Sequence, residues 1–378
     1  MPRNRIIYQS EALYAGPSPA TDIHFTGNAS LPKNTWYTSG DLNLVKQLQR
    51  VQSANYSFTV NRTDVNQFGQ LAAIDRVILN APTVSLDFSY LLANFANENN
   101  LGFTVASGSA DVTSALSGFL TKSTDERNYF IKTTAEGTDA VNNSATGVGV
   151  IGIGNGFITS YTAEGSVGNF PTVSVNVEAL NMNFQQQNSG NNVPAIFPDS
   201  GVPVDYIKFA LPTTVSNTAG DASASGISTL RPGDVTLSLP GIFGASGQHV
   251  QKYNVSFDLA RTPIERLGSK FPFSREIDFP VTVNMTVEGI MTDTVTGSLS
   301  SLISDDSTKY NPSVTIYTPT GVGTTRPIIA KYEVRGAKLD SQEFSSDIGG
   351  NKTVTWKFSS QIGGPQDTNN GLFLSGKA

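Results

Sequence analysis

Two stretches near residues 55–63 and 82–90 alternate between apolar and polar side chains. The first alternates Tyr56, Phe58 and Val60 with Ser57, Thr59 and Asn61. The second alternates Val84, Leu86, Phe88 and Tyr90 with Ser85, Asp87 and Ser89. A period of two predicts strands with one apolar and one polar face, joined here as a hairpin. The connection, residues 64–81, is long for a hairpin, and long loops in compact domains usually serve function.

The same pattern recurs 199 residues later without a gap. The repeated strand residues are Asn55, Ser57, Phe58, Arg62 and Thr63, which recur as Asn254, Ser256, Phe257, Arg261 and Thr262. In the loop, Gly69 and Arg76 recur as Gly268 and Arg275. The apolar side of the second strand recurs as Val283, Met285 and Val287. The preserved alternation favours internal duplication over chance similarity of two β-rich segments.

A second hairpin is expected in each half. In the first half, it pairs residues 157–167 with residues 171–177 across a Gly168-Asn169 turn. In the second, it pairs residues 328–336 with residues 353–358, and the two first strands share a Tyr-x-x-x-Gly pattern. The chain therefore offers four hairpins.

These patterns predict a mostly β protein of two tandem β-sandwich or partial-barrel domains. The expected divisions are an N-terminal arm at 1–49, domains at 50–185 and 250–362 separated by linker and loops at 186–249, and a tail at 363–378. We expect the tail to be mobile unless a neighbouring subunit holds it. Short helices are predicted at 91–98 and at 112–120, where Asp111 is the cap, while 44–51 fits a helix or the lead-in to the first strand.

The amino-acid composition favours a structural protein over an enzyme or a nucleic-acid-binding protein. Only 15% of residues are charged, against about 25% in average globular domains, which is typical of β-rich proteins that bury surface against their own copies. With no cysteine, disulfide and thiolate chemistry are excluded. The net charge of -6 disfavours nonspecific attraction to nucleic acid. We expect neither a signal peptide nor a membrane-spanning segment.

No catalytic or metal-binding constellation emerges, so we expect no enzyme activity and no cofactor. His24 and His249 have no companion ligands nearby, and Asp125-Glu126 and Asp305-Asp306 are interpreted as solvated charges in polar loops. The glycine-rich run 147–156 contains Gly-x-Gly-x-x-Gly. A dinucleotide site needs a helix after this motif, whereas the following residues predict a strand.

The recurring arginines are better explained as anchors. We predict that Arg62 and Arg261 hold the loops through ion pairs, with Asp64, Asp75 and Glu265 as candidate partners. We expect the long loops to contact a neighbouring subunit or ring through Asp64, Asn66, Phe68, Gly69, Arg76, Glu265, Gly268 and Arg275.

The hairpin from Ser57 to Phe88 resembles structural proteins of tailed bacteriophages, and the strand pair around residues 164–173 resembles their tail-tube proteins. The resemblance covers about 50–180 and 250–360. It implies β-sandwich domains flanked by a helix, with two hairpins per domain lining a ring of six domains. The tandem duplication departs from the simplest members, which carry one domain per chain. It implies a trimeric, pseudo-hexameric ring, with a hexamer as the alternative.

The resemblance predicts a structural subunit of a phage tail tube that self-assembles into stacked rings and forms the channel for DNA ejection. Its expected partners are its own copies, other phage tail proteins and genomic DNA passing without specific binding. Its expected location is the virion, after assembly in the host cytoplasm. The predicted lumen-facing residues are Ser57, Thr59, Ser85, Asp87, Asn176, Glu178, Asn284 and Glu288. Alternatives are another virion structural protein, such as a decoration, baseplate or tail-tip component, or a β-sandwich carbohydrate-binding module.

Overall fold

The structure, a computed structural model, is mostly β with several sheets. It describes residues 10–17, 45–107, 113–136, 139–140, 148–187, 193–194, 206–207, 211, 230, 232–239, 249–268, 271–272, 274–291, 308–318, 326–346 and 350–376. Of the residues interpreted above, His24, Asp111, Gly147, Asp305 and Asp306 lie outside these ranges.

The described residues form short and long strands and two short α-helices. The first half contains β1 (Glu11–Pro17), β2 (Lys46–Gln47), β3 (Val51–Thr59), β4 (Arg62–Val65), β5 (Asp75–Ile78), β6 (Thr83–Leu91), α1 (Ala96–Leu101), β7 (Val105–Ser107), α2 (Ser117–Leu120), β8 (Glu126–Thr133), β9 (Val148–Ser166), β10 (Thr172–Ala179) and β11 (Asn181–Gln187). The remainder contains β12 (Val193–Pro194), β13 (Tyr206–Ile207), β14 (Val235–Ser238), β15 (His249–Asp258), β16 (Arg261–Ile264), β17 (Ser274–Ile277), β18 (Thr282–Ile290), β19 (Ser313–Tyr317), β20 (Ile328–Arg335), β21 (Lys338–Ser345), β22 (Thr353–Gln361) and β23 (Gly371–Gly376).

Eight of these strands form one continuous antiparallel array, which we call the inner sheet. Its order is β3-β6-β10-β9-β15-β18-β22-β21. The strands predicted from the 199-residue offset occupy matching places, because β3 and β6 begin the array and β15 and β18 begin its second half. The sheet runs from one half into the other through the pairing of β9 with β15.

Two outer sheets cover the inner one. Strand β9 is long because its N-terminal part pairs with β8 and β11 in an outer sheet, while its C-terminal part joins the inner sheet. The partners of β9 change around Asn155, whose φ of 56° is left-handed and uncommon for a residue with a side chain. In the second half, β20 lies in an outer sheet of order β14-β19-β20-β23-β7. It leads through Gly336, with φ 64°, into β21 of the inner sheet.

The predicted match of residues 157–167 with residues 328–336 is wrong. Strand β20 pairs with β19 and β23, and the hairpin partner of β22 is β21 instead. The pairings show that the hairpin β21-β22 repeats the hairpin β9-β10 at an offset of 181 residues. Each hairpin contains a β-bulge, where the register shifts at Asn176/Val177 in the first and at Leu339/Ser341 in the second. The Tyr-x-x-x-Gly pattern predicted the wrong strand. Strands β20 and β21 are consecutive, and so short a shared pattern does not show which of them enters the hairpin.

The apolar face of the inner sheet and the outer sheets share one hydrophobic core. Alternation places Val84, Leu86 and Phe88 in this core, as the period-two pattern predicts. Among the described residues, Trp356 is the largest fully buried side chain. Burial of a large apolar side chain of this kind contributes about 1.5–3 kcal/mol.

Several segments expected to be peripheral are part of the sheets. Residues 46–47 and 51–59 are strands, so the helical alternative for 44–51 is wrong. The arm supplies β1, which pairs with β8. The expectation of a mobile tail is also wrong, because β23 pairs with β20 and buries Leu372 and Leu374. Short helices do form at α1 and α2, within or beside the predicted windows.

Candidate assembly surfaces

The inner sheet presents a continuous surface of hydroxyl, amide and charged side chains, which we call the polar face. Cross-strand register aligns its members in rows. One row crosses all eight strands as Ser53, Ser89, Ser174, Thr162, Ser256, Asn284, Ser359 and Lys338. Direct bonds join some neighbours, such as Ser53 Oγ to Ser89 Oγ at 2.7 Å. Apart from Lys338 at its end, the row consists of hydroxyls and amides, which stay hydrated without carrying charge.

Charge on the polar face is predominantly negative. Its carboxylates are Asp87, Glu164, Glu178, Asp258, Glu288 and Glu343, and its lysines are Lys252, Lys338 and Lys357. Lys252 lies 3.7 Å from Glu164, and Lys357 forms an ion pair with Glu343. The described part of this face therefore lacks the clusters of unpaired Lys and Arg that bind phosphate.

The predicted lumen-facing residues all lie on the polar face. Alternation and register place there Ser57, Thr59, Ser85, Asp87, Asn176, Glu178, Asn284 and Glu288. Glu178 differs from the others, because its Oε1 lies 3.0 Å from Arg275 Nη1. The Glu178 carboxylate therefore helps to hold the second long hairpin loop, which contains Arg275.

Each long hairpin loop is itself a two-stranded ribbon. The first ribbon is β4-β5 and the second is β16-β17. Gly69 and Gly268 turn the chain at the tips with φ of 89° and 85°. The tip side chains Phe68, Leu71 and Leu267 are fully exposed, and exposed apolar clusters of this kind mark interaction sites. Asn66 and Glu265 are exposed on the same ribbons.

The base of the second ribbon is bound firmly to the first half of the chain. Arg261 Nη1 donates to Asp125 Oδ2 at 3.0 Å and its Nη2 donates to Oδ1. Both side chains are buried, with 5% and 6% of their surface exposed. The guanidinium carbon of Arg261 also lies 4.8 Å from the centre of the Phe157 ring, which adds a cation–π contact. Lys122 Nζ bonds Glu276 Oε1 at 2.6 Å on the outside.

The interpretation of Asp125 as a solvated loop charge is wrong, and so are the partners predicted for Arg261. Asp125 is buried just before β8 and receives the bidentate bond of Arg261. Burial raises the pKa of the Asp125 carboxyl from its ordinary value, and the charge of Arg261 acts against that rise. Sequence reasoning missed Asp125 because 136 residues separate it from Arg261 and no local pattern links them.

The first ribbon has a different base. Arg76 Nε donates to Asp64 Oδ1 at 2.6 Å, but both side chains are largely exposed. Arg62 is exposed and forms no ion pair with any residue that the structure describes. The anchoring role of Arg62 therefore has no counterpart among the described residues and stays a prediction.

The core of the first half contains an ionisable cluster beneath the inner sheet. Tyr90 Oη and Tyr161 Oη both donate to Glu98 Oε1, at 2.8 and 3.0 Å. Tyr332 Oη, from an outer sheet of the second half, lies 2.8 Å from Tyr161 Oη. Burial raises the pKa of Glu98 to about 7, although the two tyrosine hydroxyls act in the opposite direction.

The two edge strands of the inner sheet, β3 and β21, expose aromatic side chains. Phe58 on β3 is 58% exposed and Phe344 on β21 is 54% exposed. Phe257, which repeats Phe58 on the interior strand β15, is 1% exposed. The same position is therefore buried inside the sheet and open at its edge.

The described ranges also bear on the expectations about metal, nucleotide and membrane binding. They contain no group of three or more His, Asp or Glu side chains that is placed to hold a metal ion. His249 is exposed at the start of β15. Residues 148–156 of the glycine-rich run lie in β9, which continues as strand to Ser166, so the predicted strand is confirmed there. None of the described helices is long and apolar enough to span a membrane.

No protein-family model matches the chain, and neither does any curated protein. Among solved structures, it is similar to a chain of the "Cryo-EM structure of the anti-feeding prophage (AFP) baseplate, 6-fold symmetrised". The match has 12% identity and a TM-score of 0.24, and it covers 38% of this chain and 91% of the other. A TM-score of this size is no basis for a common fold or function.

Proposed function

We propose that this chain is the structural subunit of a bacteriophage tail tube, in which three copies close into a pseudo-hexameric ring and the rings stack. The observation that carries the proposal is the inner sheet, which is continuous across both halves, polar on one face and open at both edges. Closing such a sheet on itself removes the exposed strand edges that otherwise invite aggregation.

The size of the closed sheet suits a channel. Three copies of an eight-stranded array give 24 strands. At a spacing of about 4.8 Å and a tilt of about 40°, these form a barrel with a backbone diameter of roughly 48 Å. Barrels with fewer strands than this already enclose an aqueous channel.

The polar face supplies the channel wall in this proposal. Its hydroxyls and amides keep the wall hydrated, and its carboxylates repel the phosphates of DNA. Strong attraction would need clustered Lys and Arg that release counterions. A wall of this composition lets DNA slide.

The ribbons supply the contacts between rings. Both project an apolar tip, carried by Phe68 and Leu71 in the first and by Leu267 in the second. The first hairpin, its loop and its tip glycine recur at one offset of 199 residues, and the second hairpin recurs at 181 residues. This recurrence supports a duplicated tail-tube domain as the origin of the arrangement.

The experiment reverses charge on the proposed wall. Asp87, Asp258 and Glu288 are all replaced by Lys, and the matched control carries Asn, Asn and Gln at the same positions. Because none of these positions faces the apolar core, both variants should still form tubes in electron micrographs. DNA ejection from particles built with the Lys variant should slow by on the order of tenfold or more at low salt, and less at high salt.

Three results would contradict the proposal. Protein that stays monomeric in electron micrographs and in mass measurements rules out a tube. Single rings that never stack favour another virion structural role, such as a baseplate component. Intact Lys-variant particles with unchanged ejection at both salt concentrations show that this face does not line the DNA path.

A further inference from the structure

The junction between the two halves shows how this sheet joins one unit to the next. Strands β15 and β9 pair from Lys252 opposite Ser166 to Asp258 opposite Ser160. Past the strand end, Leu259 N still donates to Thr159 O at 2.7 Å. On the apolar side, the rings of Phe257 and Tyr161 stack with centres 5.5 Å apart. The junction is thus a hydrogen-bonded ladder backed by aromatic packing.

The two open edges carry the matching halves of the same junction. Strand β3 repeats β15 at the 199-residue offset, and β21 repeats the end of β9 at the 181-residue offset, with its bulge preserved. Each edge strand is unpaired on its outer side in the described sheet. Phe58 and Phe344 are exposed there, although they belong to the apolar side of their strands.

We propose that β3 of one copy pairs with β21 of the next copy, antiparallel and in the register of the β15–β9 junction. This inference rests on the proposed ring and specifies the contact that closes it. The register places opposite one another Asn55 and Ser345, Tyr56 and Phe344, Ser57 and Glu343, and Phe58 and Gln342.

This register brings the apolar sides of the two strands together and also their polar sides. Tyr56 and Phe344 meet on the apolar side, where aromatic cross-strand pairs contribute about 0.2–1 kcal/mol each. Ser57 and Glu343 meet on the other side and continue the polar face into the next copy. A shift by one residue would place aromatic rings on the polar face, so the register is strongly specified. The contact is head-to-tail and therefore generates a ring when the rotation closes.

Engineered cysteines test the register directly, because the chain has no cysteine of its own. The matched variant carries Ser57→Cys and Glu343→Cys. Directly opposed residues have Cα atoms about 4.5–5.5 Å apart, which fits a disulfide. The control carries Thr59→Cys and Ser345→Cys, which the register separates by four residues, or about 13 Å. Within one chain, the two edges lie seven strand spacings apart, about 33 Å, so a disulfide reports contact between copies.

Both variants are assembled, oxidised and separated under denaturing conditions without reductant, and electron micrographs of the same samples record rings. The matched variant should form covalent trimers with at least about tenfold more crosslinking than the control. Rings without crosslinking of the matched pair, or with equal crosslinking of both pairs, overturn the register and leave the proposed tube standing. Protein with neither rings nor crosslinks overturns both. Two further variants carry Ser57→Cys alone and Glu343→Cys alone. Disulfides in either of them would indicate pairing of like edges and also contradict the proposal.

Discussion

The two ribbons carry arginine at the same repeated position, yet among the described residues an ion pair anchors Arg261 and none anchors Arg62. Arg261 is buried against Asp125 and Phe157, whereas Arg62 is exposed at the base of the first ribbon. The difference lies beneath the ribbons. The second ribbon rests on the first half of its own chain, and in the proposed ring the equivalent place under the first ribbon belongs to the next copy. A repeated side chain therefore acquires its role from the neighbour that the fold supplies.

The same contrast gives the ribbons different freedom before assembly. Arg275 reaches Glu178 on β10, and Lys122 reaches Glu276, so the second ribbon has three ion pairs to the first half. The ion pair at the base of the first ribbon, Asp64 with Arg76, is internal to that ribbon. We infer that the second ribbon is held in position in a single chain and that the first becomes fixed only on assembly.

The largest expected effect follows from removing the buried guanidinium. Arg261→Ala leaves Asp125 buried without its partner, and breaking a buried ion pair costs about 3–5 kcal/mol. The matched variant Arg62→Ala removes an exposed side chain and should change stability by less than about 0.5 kcal/mol. Urea unfolding of unassembled protein measures both. Equal losses in the two variants would show that the anchoring contrast has no energetic consequence.

The sequence alone predicts the strands that carry the two ribbons. It does not predict that Arg261 is buried in an ion pair while Arg62 is exposed. Strands β6, β15 and β18 are predictable because burial of one face leaves a period-two pattern in adjacent residues. Strand β3 carries the same pattern, although its apolar side is open at the sheet edge. The pairing of Arg261 with Asp125 leaves no such pattern, since it depends on how β16 approaches β8 in three dimensions. Strand β23 was missed for a related reason. Its apolar run, Leu372 to Leu374, is short, and only pairing with β20 gives it a place in the core.

The second prediction extends the comparison to the cores of the two halves. The first half buries Glu98 among Tyr90, Tyr161 and Tyr332, whereas the positions equivalent to Tyr90 and Tyr161 in the second half are Gly289 and Gln342. Because the pKa of Glu98 is raised from 4.5 to about 7, the folded chain keeps a proton that the unfolded chain loses between these values. The contribution of Glu98 to stability is full below pH 4.5 and is lost as the pH rises through 7.

Unfolding free energies at pH 5 and pH 8 test this sign. In the wild type, the contribution of Glu98 to the free energy of unfolding should be smaller at pH 8 than at low pH. The difference should be on the order of 3 kcal/mol or less. Glu98→Gln should remove that part of the pH dependence, and Glu288→Gln, on the polar face, serves as the matched control. A Glu98→Gln variant that keeps the full wild-type slope would show that another group titrates.

The smallest expected effect concerns the ion pair at the base of the first ribbon. A double-mutant cycle with Asp64→Ala and Arg76→Ala measures the coupling free energy between the two side chains. Their side chains are 49% and 67% exposed, so solvent screens the attraction, and exposed pairs of this kind contribute about 0.2–1 kcal/mol. The coupling should fall further when salt is raised, because exposed charges are screened most. A coupling that exceeds this range in unassembled protein, or resists salt, would mean that the first ribbon is already held before it meets another copy. Both ribbons would then be fixed in a single chain, and they would differ only in the residues that anchor them.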